Sequence, residues 1–77
     1  MLSAYVLILT EVGKVAHVAQ ALSDLDGVQV AEDIIGPYDI IAKIQAPSLD
    51  QLGRLVVSCV QVVDGVIRTL TCTVIRR

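Results

Sequence analysis

The stretch EDIIGPYDII, residues 32 to 41, gathers in one place most of the chemistry that this sequence offers. Two acids precede a Gly36-Pro37 turn, and Tyr38 and Asp39 follow it directly. Asp39 has no basic neighbour in the sequence. A bound cationic ligand therefore explains an isolated carboxylate at this position better than a contribution to the stability of the fold does. An ordinary hairpin, with glycine and proline for the turn and polar residues at its edge, explains the same letters equally well. The stretch is a candidate ligand site with a structural alternative.

Residues that could perform catalysis are scattered along the rest of the chain. His17, the one histidine, falls opposite the apolar stripe of its predicted helix, where a solvated side chain is the simpler interpretation. No Ser or Cys has a plausible His partner in the sequence, and no phosphate-binding glycine loop is present. Cys59 and Cys72 lack metal-ligand spacing and are expected to be small buried hydrophobic residues. We therefore expect no enzymatic activity, no metal site and no cofactor.

The length and composition predict one small cytoplasmic domain. The chain has 77 residues, 55% of them hydrophobic, with 6 Lys and Arg against 8 Asp and Glu. Polar residues interrupt the apolar runs before the roughly 18 residues that a membrane span needs, and no secretory signal is visible. A net charge of -2 without a basic stripe disfavours direct binding to nucleic acid. A domain this small is commonly stabilised by contact with a partner subunit.

The first half of the chain predicts a strand, a helix and a hairpin. Aliphatic and β-branched residues over 3–10 indicate the first strand. A helix is expected from Glu11, with Thr10 as its cap, because apolar residues then recur at helical spacing. Strands over 28–35 and 38–46 follow, joined as a hairpin by the glycine-proline turn.

The second half repeats this plan. Ser48 and Gln51 form a capping box that opens a second helix. The run VVSCVQVV inside this helix is compatible with a strand, but the cap, the length and the match to the first half favour a helix. The Asp-Gly-Val of residues 26–28 returns at residues 64–66, so a glycine hinge ends each helix before the next strand. The last strand is expected over 66–75.

The order βαββαβ predicts an α+β fold, the ferredoxin-like sandwich, in which a four-stranded antiparallel sheet carries two helices on one face. The other face then has no cover. In the last strand, we expect the more apolar alternate set to face the helices; this set is Val66, Leu70, Cys72 and Val74. The other set is expected on the uncovered face and consists of Ile67, Thr69, Thr71, Thr73 and Ile75. With Ile41 and aliphatic residues of the first strand, the uncovered face is expected to pack on the sheet of a second copy.

Five segments carry a likeness to a known family: AYVLI at the start, DGV before the second strand, GPYDII at the hairpin, LVVSCVQVVDGV in the second helix and RTLTCTVI at the end. Together they resemble the RAM domain, the effector-binding half of the Lrp/AsnC transcriptional regulators. The Gly-x-Tyr-Asp hairpin followed by a Thr-x-Thr-x-Thr strand is the most specific combination, and the resemblance covers nearly the whole chain. The family usually carries an N-terminal helix-turn-helix. Because Met1 opens directly on the first strand, the chain resembles a stand-alone RAM protein with one domain over residues 1–77.

This resemblance implies a non-enzymatic module that senses an amino acid or a related metabolite in the regulation of amino-acid metabolism. Dimers would form sheet on sheet and join in rings of four, giving an octamer, with the ligand bound between neighbouring dimers. Full-length Lrp/AsnC regulators are implied as further partners. The hairpin motif of the family falls on Gly36, Tyr38 and Asp39, and its terminal-strand threonines fall on Thr69 and Thr71.

Physical chemistry gives a reason for the hairpin positions. An amino acid presents an ammonium, a carboxylate and a side chain, so its site needs an anionic acceptor, N–H donors and an apolar wall. Asp39 would accept from the ammonium, the backbone exposed at Gly36 would donate to the carboxylate, and Tyr38 would form the wall. Pro37 fixes the turn but removes one N–H donor.

Two other functions are compatible with the same order of elements. The first is a regulatory module of the ACT type, which pairs sheets edge to edge and serves as part of a metabolic enzyme; the uncovered sheet face argues against it. The second is a small dimeric α+β-barrel enzyme. Such an enzyme needs a buried His or acid inside its barrel, and the only His of this chain is predicted on a helix surface.

Overall fold

The computed structural model, which describes residues 1–76, has the predicted order of strands and helices. The strands are β1 (Leu2–Thr10), β2 (Val28–Asp33), β3 (Ile40–Ala46) and β4 (Val66–Thr73). The helices are α1 (Val15–Ser23) and α2 (Leu49–Arg54), and α2 continues directly into a π-helical segment over Leu55–Val60. The four strands form one antiparallel sheet in the order β2-β3-β1-β4. The predicted α+β, ferredoxin-like fold is confirmed.

The start of α1 differs from the prediction. The helix begins at Val15 instead of Glu11, and Lys14 occupies the N-cap position without a side-chain hydrogen bond. Residues 11–14 form a turn in which the Lys14 N–H donates to the Glu11 carbonyl at 3.0 Å. Thr10 is the last residue of β1 and does not cap the helix, because its hydroxyl group donates to Asp39 instead.

The second helix begins as the sequence predicts. The Ser48 side chain accepts a hydrogen bond from the Gln51 N–H at 3.2 Å, which satisfies one of the free donors at the helix start. The β-branched run that was compatible with a strand is helical over residues 56–60, and residues 61–63 form a turn. The last turn of the helix is π-helical, since the Gln61 N–H donates to the carbonyl of Val56, five residues earlier, at 2.8 Å.

The two Asp-Gly-Val hinges have the same backbone geometry. Gly27 and Gly65 have φ values of 91° and 99°, in the left-handed region that other residues resist. Each glycine is also tightly enclosed. A Cβ at Gly65 would lie 2.9 Å from Lys14 Cβ and 3.0 Å from Val18 Cγ2, and a Cβ at Gly27 would lie 2.9 Å from Leu55 Cδ2. The repeat therefore marks two positions where both conformation and packing require glycine. The prediction that these glycines end the helices is wrong, because the helices end at Ser23 and Val60 and the glycines directly precede the next strands.

The core lies between the sheet and the helices. Its sheet side consists of alternate residues of β1 and β3, and its helix side consists of residues one turn apart on α1, α2 and the π-helical segment. The buried side chains are Ala4, Val6, Ile8, Ile40, Ala42, Ile44, Ala46, Val18, Leu22, Leu52, Val56 and Val60. In β3 the more apolar alternate set, Ile40, Ala42 and Ile44, faces the helices, as the rule that apolar residues face the core predicts.

The predicted orientation of β4 is wrong. Leu70 pairs directly with Leu7, and Thr71 pairs directly with the fully buried Val6. Residues directly opposite each other in an antiparallel pair share a face of the sheet. Thr71 and its alternate neighbours Thr69 and Thr73 therefore lie on the helix side. Because β4 is at the edge of the sheet, the helices cover it only partly. Side chains on the helix side of this strand therefore need not be fully apolar, and threonine is compatible with these positions.

The side of the sheet opposite the helices has no cover within the described chain. We call it the open sheet face, and its central residues are Tyr5, Leu7, Leu9, Ile41, Leu70 and Cys72. Tyr5 is 41% exposed and Leu70 is 46% exposed. The Lys43 ammonium lies 5.8 Å from the centre of the Tyr5 ring, on the same face. Cys72 is exposed, contrary to its predicted burial, and Cys59 is only partly buried.

Candidate functional site

The turn between β2 and β3 contains all four hairpin residues predicted to bind a ligand. β2 ends at Asp33 and β3 begins at Ile40, so both strands are shorter than predicted and residues 34–39 connect them. The Asp39 carbonyl accepts from the Ile34 N–H at 2.9 Å, and the Asp39 N–H donates to the Ile8 carbonyl at 2.9 Å. These two bonds close the turn and attach it to the end of β1.

The carboxylate of Asp39 has a structural partner that the sequence does not reveal. Its Oδ2 accepts hydrogen bonds from the Thr10 N–H at 2.9 Å and from the Thr10 hydroxyl at 3.1 Å. The expectation that Asp39 has no structural role is therefore wrong. Both donors are neutral groups, and no ion pair within residues 1–76 includes Asp39. Asp39 is partly buried. Its carboxylate accepts hydrogen bonds at one oxygen and has no cation beside it within residues 1–76.

The rest of the turn is open to solvent. Gly36 and Pro37 are exposed, Tyr38 is partly buried, and a Cβ at Gly36 would meet no atom within 4 Å. Ile35, directly before the glycine, is fully exposed. A large aliphatic side chain fully exposed at a turn is unusual for a residue type that is mostly buried. Neither Ile35 nor Thr10 is singled out by sequence patterns, since Ile35 fits the end of a strand and Thr10 fits a helix cap.

The two predicted threonines lie in β4, on the other side of β1 from the turn. Thr69 pairs with Ile8 and Thr71 pairs with Val6. The Thr69 hydroxyl accepts a hydrogen bond from Gln61 Nε2 at 3.0 Å. Two strand spacings of about 4.8 Å each separate β3 from β4. One chain therefore does not bring the threonines into contact with the turn.

Thr71 forms part of an apolar groove beside the edge of the sheet. The groove, with a volume of about 320 Å³, lies between β4 and the second helix. Its lining residues are Leu49, Leu52, Gly53, Val56, Val57, Thr71 and Thr73. The polar side chains in this lining are threonines, so hydroxyl groups are the only side-chain hydrogen-bonding groups that the groove offers.

Residues 1–76 hold no group of three or more His, Cys, Asp or Glu side chains placed to share a metal ion. His17 is on the surface of α1, where its Nε2 lies 4.0 Å from Asp64 Oδ2 and its side chain is 56% exposed. No helix in the described part of the chain is long and apolar enough to cross a membrane.

The fold and the turn define a class of protein, a ferredoxin-like module with a bare sheet face and a polar turn at the end of the sheet. Residues 3–77 match the family model described as the Lrp/AsnC ligand binding domain. The chain belongs to this family, which is a family of ligand-binding domains of regulators and not of enzymes. A comparison with curated proteins found no match.

Solved structures with the same fold agree with this assignment. The chain is 28% identical to TTHA0845 from Thermus thermophilus, with a TM-score of 0.94 over 100% of this chain and 96% of that one. It is 23% identical to Escherichia coli AsnC, with a TM-score of 0.91. That match covers 99% of this chain but only 52% of AsnC. It is 14% identical to the transcriptional regulator NMB0573 of Neisseria meningitidis, solved as a complex with L-Met; the TM-score is 0.85, and the match covers 97% of this chain and 50% of that one. The last two likenesses concern the fold alone.

Proposed function

We propose that this chain binds a free amino acid or a closely related metabolite, and that binding alters its assembly with itself and with full-length Lrp/AsnC regulators. Residues 1–77 act as a single unit that combines ligand binding with oligomerisation. Membership of a family of ligand-binding domains supports the general role. The choice of an amino acid as the ligand rests on the turn between β2 and β3.

The observation that carries this proposal is the state of the Asp39 carboxylate. Thr10 donates to Oδ2 twice, which fixes the orientation of the group, while no cation within residues 1–76 offsets its charge. A charge held away from bulk water without a partner is unfavourable. The α-ammonium of an amino acid supplies a positive charge and three donors, and Oδ1 is the oxygen that Thr10 leaves free to accept one of them.

The backbone of the same turn suits the α-carboxylate. Pro37 has no N–H, but Gly36 and Tyr38 on either side of it do, and among the described residues neither N–H donates to another backbone group. Gly36 is exposed and carries no side chain, so a ligand can approach its backbone closely. The partly buried Tyr38 ring provides an apolar surface beside these donors.

The turn alone is too open to enclose a ligand, so we propose that a neighbouring subunit completes the site. Thr69 and Thr71 are the residues assigned to that subunit by resemblance, and their separation from the turn within one chain agrees with such a role. Ile35, fully exposed beside the turn, is suited to the contact between the two subunits. NMB0573, a regulator with the same fold, is in complex with an amino acid, L-Met, which supports this class of ligand.

The open sheet face supports the first step of assembly. Its centre is apolar, with Leu7 opposite Leu70 and Tyr5 opposite Cys72. Packing this face on the same face of a second copy would bury these side chains and give a two-fold dimer. Four such dimers, joined through the turn regions, would form the octameric ring proposed for the complete assembly.

The proposed setting is the cytoplasm, with no direct contact to DNA or membrane. The net charge of -2 leaves no cationic surface for phosphates, so regulation of transcription would act through partner proteins. No catalytic step is proposed.

A thermal-shift screen of the purified protein with the twenty amino acids tests the proposal. A ligand present at a hundred times its Kd stabilises the folded state by about 2.7 kcal/mol, which raises the melting temperature of a domain this size by roughly 10 to 20 °C. We expect at least one amino acid to give such a shift. The same amino acid should give a clearly smaller shift with Asp39→Asn, because binding weakened about tenfold to a hundredfold leaves at most about half of this stabilisation. A screen in which no amino acid shifts the wild-type protein would contradict the proposal.

A further inference from the structure

The apolar groove beside β4 has a feature that helix packing does not require. Gly53 lies inside the second helix, where glycine is less favourable than alanine. A Cβ at Gly53 would meet no atom within 4 Å, so no neighbouring group forces the choice of glycine. Leu49 and Val57, four residues before and four residues after it, are 64% and 60% exposed. The glycine thus leaves an apolar depression between two exposed aliphatic side chains.

The groove is connected to the proposed ligand site by Thr71. This threonine is one of the two β4 residues assigned to the ligand, and it also lines the groove. An amino acid bound at Thr71 would therefore have the groove directly beside it. The volume of about 320 Å³ is near the lower end of the range of about 300 to 1,000 Å³ for small-molecule sites.

The chemistry of the lining selects the kind of side chain that fits. Aliphatic residues and Gly53 form most of the surface, with threonine hydroxyl groups at one side. Asp50 and Arg54 border the depression at Gly53 from the outer side of the helix, and they pair with each other at 3.0 Å, so neither charge is free. A charged ligand side chain in the groove would lose its hydration without gaining a partner.

We propose that this groove receives the side chain of the bound amino acid and restricts the ligand to amino acids with apolar side chains, aliphatic or thioether. The inference rests on the proposed function: Asp39 of one subunit holds the ammonium, and the groove of a neighbouring subunit, entered past Thr71, holds the side chain. Gly53 is then a specificity-determining residue, because its missing side chain sets the depth of the groove.

The test is a comparison of Gly53→Leu, Gly53→Ala and wild-type protein by titration calorimetry with L-leucine, L-methionine, L-alanine and L-glutamate. Ala16→Leu, which adds apolar bulk at an exposed position of α1, is the matched control. We expect wild-type protein to bind L-leucine or L-methionine at least about tenfold more tightly than L-alanine or L-glutamate. Gly53→Leu should lose about tenfold or more of the affinity for the large side chains and little of that for L-alanine.

A second readout separates specificity from stability. Gly53→Ala should raise the melting temperature by several degrees, because alanine favours the helix, and yet weaken binding of L-leucine. A purely structural role for position 53 would not move stability and affinity in opposite directions. The Ala16→Leu control should bind like wild-type protein.

The outcomes distinguish the inference from the function on which it rests. If Asp39→Asn loses binding but Gly53→Leu binds all amino acids like wild-type protein, the groove is not the side-chain site and only the inference fails. The inference also fails if L-glutamate binds as well as L-leucine, if Gly53→Leu weakens all four amino acids equally, or if it changes only the oligomeric state in light scattering. If no amino acid binds wild-type protein, the proposed function and the inference both fail.

Discussion

Thr10 and Asp39, 29 residues apart in the sequence, are joined by two hydrogen bonds to one carboxylate oxygen, at 2.9 Å from the Thr10 backbone N–H and at 3.1 Å from its hydroxyl. The pair ties the turn between β2 and β3 to the end of β1. Both bonds go to Oδ2, so Thr10 leaves Oδ1 without a donor. Substitutions at the two residues separate the structural role of Asp39 from its proposed role in binding.

Replacing Thr10 with valine removes the hydroxyl donor and keeps the size, the β-branched shape and the backbone N–H. Because Thr10 is buried, we expect a loss of about 0.5 to 1.5 kcal/mol in the free energy of unfolding, measured by urea denaturation. Thr10→Ser keeps the hydroxyl and should recover part of this loss. A Thr10→Val protein as stable as wild type would show that the hydroxyl hydrogen bond to Asp39 contributes nothing to stability.

Replacing Asp39 with asparagine removes the charge but keeps an oxygen that can accept from Thr10. The free energy of unfolding should therefore change by less than about 1 kcal/mol, whereas amino-acid binding should weaken about tenfold to a hundredfold in calorimetry. Asp39→Ala, which removes both functions, should weaken binding similarly and also destabilise the turn. Wild-type affinity in Asp39→Asn would show that the carboxylate does not bind the ammonium.

The contact between Thr10 and Asp39 explains why the sequence predicts the turn correctly but does not reveal the structural role of Asp39. Local turn chemistry at Gly36 and Pro37 predicts a hairpin there, and the hairpin is present. A threonine before a helical pattern reads equally well as a cap, and only the pairing of β1 with β3 brings it to Asp39. Contacts between residues distant in sequence depend on register, which local patterns do not determine.

The open sheet face gives a prediction about assembly. Leu70→Arg places a charge at the centre of this face, where a sheet-to-sheet dimer would bury it without a partner, so light scattering at micromolar concentration should report a monomer. Thr71→Arg is the matched control, since the adjacent residue points to the helix side of the same strand. We expect Thr71→Arg to remain dimeric. A wild-type monomer, or a dimer that only Thr71→Arg disrupts, would contradict packing through the open sheet face.

The sequence holds one signal for the orientation of β4 that the prediction did not use, since the charged Arg68 falls in the same alternate set as Leu70 and Cys72 and pairs with Leu9 on the open sheet face. Leu70 and Cys72 are the more apolar set, and the rule that apolar residues face the core placed them inside. The register with β1 places them outside. In a domain whose outer sheet face is itself apolar, the contrast between inside and outside is too small for this rule. The same rule succeeds for β3, whose outer set includes Lys43 and Gln45.

The glycine hinges give a prediction about stability. Gly65→Ala forces alanine into the left-handed region, which costs about 1 to 2 kcal/mol, and it also presses a methyl group against Lys14 and Val18. Gly13→Ala is the control, because Gly13 also has a positive φ, 82°, but a Cβ there would meet no atom within 4 Å. Urea denaturation should show a clearly larger loss for Gly65→Ala. Equal losses would mean that the close packing at the hinge is relieved at little cost.

The hinges are also the part of the fold that the sequence determines best. The repeated Asp-Gly-Val identified the two-half plan and the start of the strand that follows each helix, but the helices themselves end earlier, at Ser23 and Val60. The π-helical segment was not predicted, since the run LVVSCV has no pattern that separates it from an α-helix.

A crystal structure of the protein with the amino acid that gives the largest thermal shift tests the central claim most directly. We predict that the α-ammonium lies within hydrogen-bonding distance of the Asp39 carboxylate of one subunit, at a contact where a neighbouring subunit contributes Thr69 or Thr71. An amino acid bound away from the turn at residues 36–39, or one enclosed entirely by a single subunit, would contradict the account.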